Sequence, residues 1–280
     1  MKSINRRDFF RRSAAGLLAA GLWPGAAANA EGPDEAFRFV VINDTHYKDD
    51  KCGEYLEAAF SQMHRGPSFD IALVAGDIST AAAPRELRAF KQLTDAYLKV
   101  PTYCVLGNHD CPGRSRKAWV DTYGMDSINY RVDHKGWTFL GIDTTDGGKS
   151  SGVAVHGETI AWIRNALRDV PSKRPIVLFG HHPFGEGVHY RLVNAEEVLR
   201  LFVAHNLKHV FNGHFHGLTQ KKSKGYGLTT NRCLSLSRGN HDGSKEKGYF
   251  LATVEGGALS YEFVQFEHRS TAGEGAGDDK

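Results

Sequence analysis

The tetrapeptide Gly107-Asn108-His109-Asp110 sets an amide, an imidazole and a carboxylate directly behind the apolar run Thr102–Leu106. Such side chains bind cations or move protons, and a glycine turn that closes a strand presents them at a sheet edge. Alone, the tetrapeptide reads equally well as a polar turn. The same grammar recurs four times: Asn43-Asp44-Thr45-His46 after Phe37–Ile42, Gly76-Asp77 after Asp70–Ala75, Gly180-His181-His182-Pro183 after Pro175–Phe179, and Gly213-His214-Phe215-His216 after Leu207–Phe211. Residues i and i+2 of an extended chain point the same way, so Asp44 with His46, and His214 with His216, can each offer two ligands together. Adjacent His181 and His182 diverge, and only one of them is expected to bind. Each segment singly has a plain explanation as a solvated turn; five in series, each behind a strand, do not. Carboxylate, amide and imidazole donors suit Mn, Fe, Zn, Co or Ni, and no thiolate cluster competes with them.

These groups act together only if the elements between them bring them to one place. Gly53–His64 carries Tyr55, Leu56, Ala59, Phe60 and Met63 at helical spacing and is stopped by Gly66-Pro67. Strand, helix, strand implies parallel neighbours, and in parallel sheets ligands collect beyond the carboxyl ends of the strands. Asp77 thus arrives where Asp44 and His46 already point. Pro84–Leu98 reads as a second helix with proline near its start, and Ser115–Tyr123 as a third. Ile128–Val132 and Trp137–Ile142 predict an antiparallel hairpin, 143–152 a loop, Gly157–Val170 an amphipathic helix and Asn194–His205 another. From Gly217 onward the texture changes. The short runs Tyr226–Thr229, Leu234–Ser237, Tyr249–Val254 and Leu259–Val264 predict a second, antiparallel sheet.

The ends of the 280-residue chain carry no such grammar. Asn5-Arg6-Arg7-Asp8-Phe9-Phe10-Arg11, the apolar stretch Ala14–Leu22 and Ala28-Asn29-Ala30 are similar to a twin-arginine signal peptide over 1–30. Its apolar part is too short to span a bilayer, so no stable membrane anchor is expected after cleavage. Cleavage removes five basic residues and one acidic one, which takes the formal net charge from +3 to −1. A near-neutral mature chain gives no hint of a nucleic-acid footprint, although a local basic patch is compatible with that charge, so nucleic acid is not the expected partner. The mature part, expected as one domain over 31–266 with a disordered tail over 267–280, is long enough for a substantial core. Cys52, Cys104, Cys111 and Cys233 lack the paired spacing of a zinc knuckle. A Cys104–Cys111 disulfide could tie the Asn108 loop, although buried free thiols are the favoured reading.

From Phe37 to Glu262 the five segments together resemble the calcineurin-like metallophosphoesterase superfamily. The resemblance implies an α/β (α+β) fold, a four-layer sandwich of two mixed β-sheets flanked by helices, with two divalent transition-metal ions at one sheet edge. Asp44, His46 and His216 would hold the first ion, Asn108, His181 and His214 the second, and Asp77 would bridge them. Two such ions share a hydroxide of lowered pKa and hold phosphoryl oxygens for in-line attack. The counterpart of His109 faces the leaving-group oxygen and would protonate it. Asp110 would orient that imidazole or sit as a solvent-facing turn residue, and His182 would pack behind the ligands. Gly239-Asn240-His241-Asp242 repeats the organising tetrapeptide, but it lacks a strong apolar strand before it and follows the closing histidine pair, so catalysis is assigned to the first copy. Arg114, His189, Arg238 and His241 are the substrate-binding candidates, with Arg116, Tyr47, Phe184 and Tyr190 on the same loops; arginine suits phosphate through its fork of donors.

Two departures narrow the branch. The tyrosine that purple acid phosphatases carry after their Gly-Asp is replaced here by Ile78-Ser79-Thr80, and the arginine-containing signature of the Ser/Thr-specific phosphatases is absent. The remaining motifs look closer to cyclic-nucleotide and glycerophosphodiester phosphodiesterases. The expectation is an exported, periplasmic or secreted enzyme that hydrolyses a small-molecule phosphate mono- or diester. Its rivals are a non-catalytic metal-binding protein on the same fold and a nuclease.

Overall fold

The computed structural model describes residues 35–267. The leader expected over 1–30 and the tail from 268 on lie outside the described residues. One sheet is built from β1 (Phe37–Ile42), β2 (Ile71–Val74), β3 (Thr102–Cys104), β10 (Gly248–Glu255) and β11 (Ala258–Gln265), in the order β11-β10-β1-β2-β3. The other comprises β4 (Tyr130–His134), β5 (Trp137–Gly141), β6 (Pro175–Gly180), β7 (Asn206–Asn212), β8 (Thr219–Ser223) and β9 (Tyr226–Thr230), in the order β4-β5-β6-β7-β9-β8. Both sheets are mixed. Strands β1, β2 and β3 run parallel, as do β5, β6, β7 and β9, while β10, β11, β4 and β8 pair antiparallel at the flanks.

The unbroken apolar runs of the central strands follow from burial on both faces. Phe37, Phe39 and Val41 of β1 point between the sheets, where they meet Phe139, Phe179, Phe211 and Phe250. Val40 and Ile42, at alternate positions, point outward and pack with Leu56 and Phe60 of α1 (Asp50–Arg65), Phe90 of α2 (Pro84–Leu93) and Trp119 of α3 (Lys117–Tyr123). On the far side, Ile176 and Leu178 of β6 pack with Ile160 and Ile163 of α4 (Gly157–Leu167) and Val198 of α5 (Ala195–Arg200). The result is the four-layer sandwich of two mixed sheets flanked by helices.

The C-terminal half differs from the expected second antiparallel sheet. Tyr226–Thr230 runs parallel to β7, Leu234–Ser237 forms no strand, and β10 with β11 make a hairpin that extends the first sheet along the free edge of β1. Open edges of existing sheets take up late strands before a third layer can form, because each pairing satisfies backbone groups already in place. Strand β8 escaped the hydropathy pattern because Thr219-Gln220-Lys221-Lys222-Ser223 is an edge strand whose lysines face solvent. The helix over Pro84–Leu98 passes into a π turn at Thr94–Leu98 and stops at Lys99 with φ 56°. Helix α1 begins earlier than Gly53 because the Asp49 side chain accepts the Cys52 N–H at 3.1 Å. All four cysteines are buried free thiols, so no disulfide ties Cys104 to Cys111.

Candidate active site

The parallel strands β1, β2, β6 and β7 end at one edge of the sandwich, and the loops that follow are stitched to one another. Asp44 N–H donates to the Gly76 carbonyl, His46 N–H to that of Asp77, and Gly213 N–H to that of His181, each at 3.0 Å. His214 N–H donates to Asp44 Oδ2 at 2.9 Å, which ties the two sheets together at this edge. The backbone here is bent hard: Asp44, His46, Asp77, His214 and His216 all adopt positive φ, between 46° and 64°. That region is sparsely populated by residues other than glycine and concentrates at functional sites. Glycine is required where loops touch. A Cβ on Gly107 would lie 2.1 Å from Asp77 Oδ1, and one on Gly213 would lie 2.6 Å from Asp44 Oδ2.

Two sets of donors result. Asp44, His46, Asp77 and His216 converge in one, Asp77, His181 and His214 in the other, with the atoms of each set within 4.8 Å of one another and all of them buried. Asp77 belongs to both: its Oδ2 lies 3.6 Å from His46 Nε2 and 3.3 Å from His181 Nε2. Asn108 joins the second set, its Oδ1 3.2 Å from His181 Nε2.

The hydrogen bonds behind these rings decide which nitrogens face inward. His181 gives its Nδ1–H to the Ala75 carbonyl at 2.9 Å and His214 gives its Nε2–H to that of Ser150 at 2.7 Å. The remaining nitrogens, His181 Nε2 and His214 Nδ1, stand 3.0 Å apart. In neutral rings both carry lone pairs, which repel at that distance unless a cation lies between them. The first set repeats the pattern. His216 Nδ1 donates to the Gly239 carbonyl at 3.1 Å, which leaves its Nε2 3.3 Å from that of His46. Asp44 Oδ1, buried and without a hydrogen-bond partner, lies 3.1 Å from His216 Nε2. Such carbonyl-anchored imidazoles are how proteins orient metal-binding histidines.

The electrostatics point the same way. Burial would raise Asp44, yet His216 and His181 hold it below the ordinary carboxylate range; Asp77, equally buried, is held well below by His181 and His46. Against burial, the Asp77 charge lifts His181 to about 9 and the Asp44 charge lifts His216 to about 11. Burial takes His46 and His214 down to about 4. Two buried carboxylates thus draw positive charge into the cage, and the donor set of oxygen and imidazole fits divalent transition metals.

His109 borders the same cleft, its ring 4.9 Å from that of His46 in edge-on contact. Its backbone N–H donates to Asp77 Oδ1 at 2.8 Å and its Nδ1 lies 2.9 Å from the Thr80 carbonyl. The imidazole is therefore oriented by Thr80, and the expectation that Asp110 orients it is corrected. Asp110 neither faces solvent nor lines the cleft: it is fully buried and accepts from Gly107 N–H, Ile78 N–H, Ser79 N–H and Ser79 Oγ–H at 2.7–3.2 Å. It clamps the loop that bears Asp77 to the loop that bears Asn108. Burial and then the Asp77 charge push its carboxyl up to about 6. His182 packs behind, with its ring 4.3 Å from that of His214 and its Nε2 3.3 Å from the Lys149 carbonyl.

A cleft of about 360 Å³ opens over these groups, lined also by Ser150, Tyr190, Ser237, Arg238, Gly239 and His241. Of the substrate-binding candidates, Arg238 and His241 line it. Arg114 and His189 do not: Arg114 pairs with Asp146 at 2.7 Å, and the His189 ring stacks on Phe215 at 5.8 Å. Arg116 is held by Asp143, Tyr47 borders a separate groove beside α1, and Phe184 is buried. Sequence reasoning missed the carbonyls of Ala75, Thr80, Ser150 and Gly239, which orient the imidazoles; a backbone carbonyl leaves no residue-type signal.

An oxygen-and-imidazole cage with one carboxylate common to two donor sets, at the strand ends of this sandwich, defines a metallophosphoesterase. The calcineurin-like phosphoesterase family profile matches residues 37–218, and the chain belongs to that family of phosphoric ester hydrolases. It is similar to a probable cyclic nucleotide phosphodiesterase of Rhodopseudomonas palustris, 29% identical over 208 residues that make up 64% of this chain and 71% of that one. A second probable cyclic nucleotide phosphodiesterase, from Fibrobacter succinogenes, is 28% identical over 166 residues, which cover 52% of this chain and 57% of its own length. Among solved structures, a purple acid phosphatase from yellow lupin (Lupinus luteus) shares the fold with a TM-score of 0.61 at 14% identity, over 83% of this chain and 52% of that one. An inner-membrane-complex anchor of Plasmodium does so with a TM-score of 0.59 at 15% identity, over 82% and 84%.

Proposed function

We propose that the protein is a dinuclear metal-dependent phosphodiesterase that hydrolyses small phosphate diesters of the cyclic-nucleotide type after twin-arginine export. The observation that carries the metal reading is Asp77, whose Oδ2 lies within 3.6 Å of His46 and 3.3 Å of His181 and so joins both donor sets. The diester class is supported by the two phosphodiesterase relatives, and export by the Arg6-Arg7 segment with its Ala28-Asn29-Ala30 site.

Asp44, His46, Asp77 and His216 would hold one divalent cation, and Asp77, Asn108, His181 and His214 another; when bound, such cations would supply Lewis-acid polarisation of the phosphoryl oxygens and activation of the attacking water. The chain's own residues do the rest. The carbonyls of Ala75, Ser150 and Gly239 hold the imidazoles in the orientation that the cage needs before substrate arrives. His109 donates its Nδ1–H to the Thr80 carbonyl, which orients the ring, and would pass a proton from Nε2 to the departing oxygen. His46, packed against it edge-on, keeps that ring beside the cage.

The test is a turnover panel on protein stripped of metal and reloaded with Mn, Zn or Fe. Two metal equivalents per chain, and diesters cleaved at least about tenfold faster than monoesters, are expected. A chain that carries both equivalents and is inert on every ester would leave the non-catalytic reading in place. Export is checked by N-terminal sequencing of the periplasmic protein, which should begin at Glu31.

A further inference from the structure

We infer that Tyr190, with His241 beside it and Arg238 on the same cleft, is a nucleobase shelf, so that the preferred substrate is a nucleoside phosphodiester and not a diester of simple alcohols. The inference rests on the phosphodiesterase reading and adds to it the part of the substrate that lies beyond the phosphate.

Tyr190 lines the cleft and is 37% exposed, one of few large apolar side chains so exposed among the described residues. Its ring stands 5.0 Å from that of His214 and 6.1 Å from that of His241, and His241 in turn stacks on His216 at 5.1 Å with 24° between the planes. The shelf therefore adjoins imidazoles of both donor sets. The three rings near Tyr190, His189, His214 and His241, meet it at 54°, 69° and 60°. None of them covers a face of the ring by parallel stacking, and the hydroxyl makes no hydrogen bond among the described residues. An aromatic ring offered to the cleft in this way serves any flat π-system, and base–aromatic stacking is the general device by which proteins hold nucleobases.

The shelf is built rigidly. Tyr190 adopts φ 63°, a conformation uncommon outside glycine. It is held there by its neighbours: Val188 is buried, Leu192 N–H donates to the Pro183 carbonyl at 2.9 Å, and Arg191 reaches back to the Phe184 carbonyl at 2.9 Å and to Glu196 at 2.7 Å. A ring already ordered loses little freedom when a ligand stacks on it. Arg238 completes the group. Its carbonyl is pinned by Lys247 Nζ, whereas its guanidinium pairs with no carboxylate among the described residues, unlike those of Arg114, Arg116, Arg131, Arg174, Arg191 and Arg232. An unpaired guanidinium in the cleft can meet the phosphodiester charge or lie over a base face.

The experiment compares adenosine 3′,5′-cyclic phosphate with the base-free ribose 3′,5′-cyclic phosphate on Mn-loaded wild type, Tyr190→Leu and Tyr190→Phe. Wild type should favour the nucleotide in kcat/KM by about tenfold or more. Tyr190→Leu should raise KM for the nucleotide about ten- to a hundredfold, with a smaller change in kcat, and its loss on the nucleotide should exceed its loss on the base-free ester at least tenfold. Tyr190→Phe should recover most of it. Equal losses on both esters, or a wild type indifferent to the base, overturn the shelf while the phosphodiesterase reading stands. Should wild type cleave neither, that reading fails, and calorimetry of adenosine monophosphate against ribose 5-phosphate still decides the shelf: equal affinities refute it, and a tenfold preference for the nucleotide upholds it.

Discussion

His109 and Asp110 are neighbours in the chain with opposite environments. The first borders the cleft, the second is sealed beneath it among three backbone N–H groups and a serine hydroxyl. Replacing His109 by alanine should leave two metal equivalents in place and lower turnover about 10²- to 10⁴-fold on alkyl diesters, and far less on nitrophenyl esters whose leaving group needs no proton. Metal analysis beside kinetics on both ester types checks this, and equal losses would exclude proton delivery. Asp110→Asn keeps the shape but swaps an acceptor oxygen for a donor amide, which must then face an N–H group. Urea unfolding should show a loss of about 1–3 kcal/mol. The two roles could not be separated from Asn108-His109-Asp110 alone, because a carboxylate in a turn looks the same whether it faces water or a closed loop.

At the scale of elements, every donor stands just past the end of a parallel strand, on a backbone bent into positive φ or pressed against the next loop. Gly107→Ala places a methyl 2.1 Å from Asp77 Oδ1, the oxygen that accepts the His109 N–H, on the carboxylate common to both donor sets. The strands should survive, so far-UV circular dichroism should change little while at least one metal equivalent is lost; full metal content in the variant would contradict the close packing described. The strand ends themselves were readable from apolar runs that stop at Gly, Asn or Asp. Strand β8 and the sheet that claims β10 and β11 were not, since edge strands carry polar residues and hairpin partners are chosen by which edges the rest of the fold leaves open.

For the whole molecule, stability and pH are linked through a histidine far from the cage. Burial holds His209 neutral and lowers its pKa to about 3, against about 6.5 in the unfolded chain. Its Nε2 lies 3.2 Å from Thr229 Oγ1, and its ring packs edge-on against Tyr261 at 4.7 Å, in the inter-sheet layer. Between those two values the unfolded chain binds the extra proton, so stability is lost as pH falls below about 6.5. From pH 7 to 5 this one group should account for about 2 kcal/mol. Urea unfolding of wild type and His209→Gln across that range should show the flatter profile in the variant. Parallel profiles would mean that the ring is already charged in the folded state.

By itself the sequence determined the class of chemistry and the architecture that carries it: oxygen and nitrogen donors behind apolar strands can only gather where parallel strands end, and unbroken apolar runs demand cover on both faces. Tertiary structure alone decided which turn residues line the cleft and which are sealed, that Arg238, His241 and Tyr190 face it while Arg114 and His189 turn away, and that backbone carbonyls aim the imidazoles. The reason is physical. Residue type and strand periodicity are local properties of the chain, whereas the partner of a carbonyl, the exposure of a loop ring and the pairing of an arginine depend on groups far away in sequence that only folding brings near.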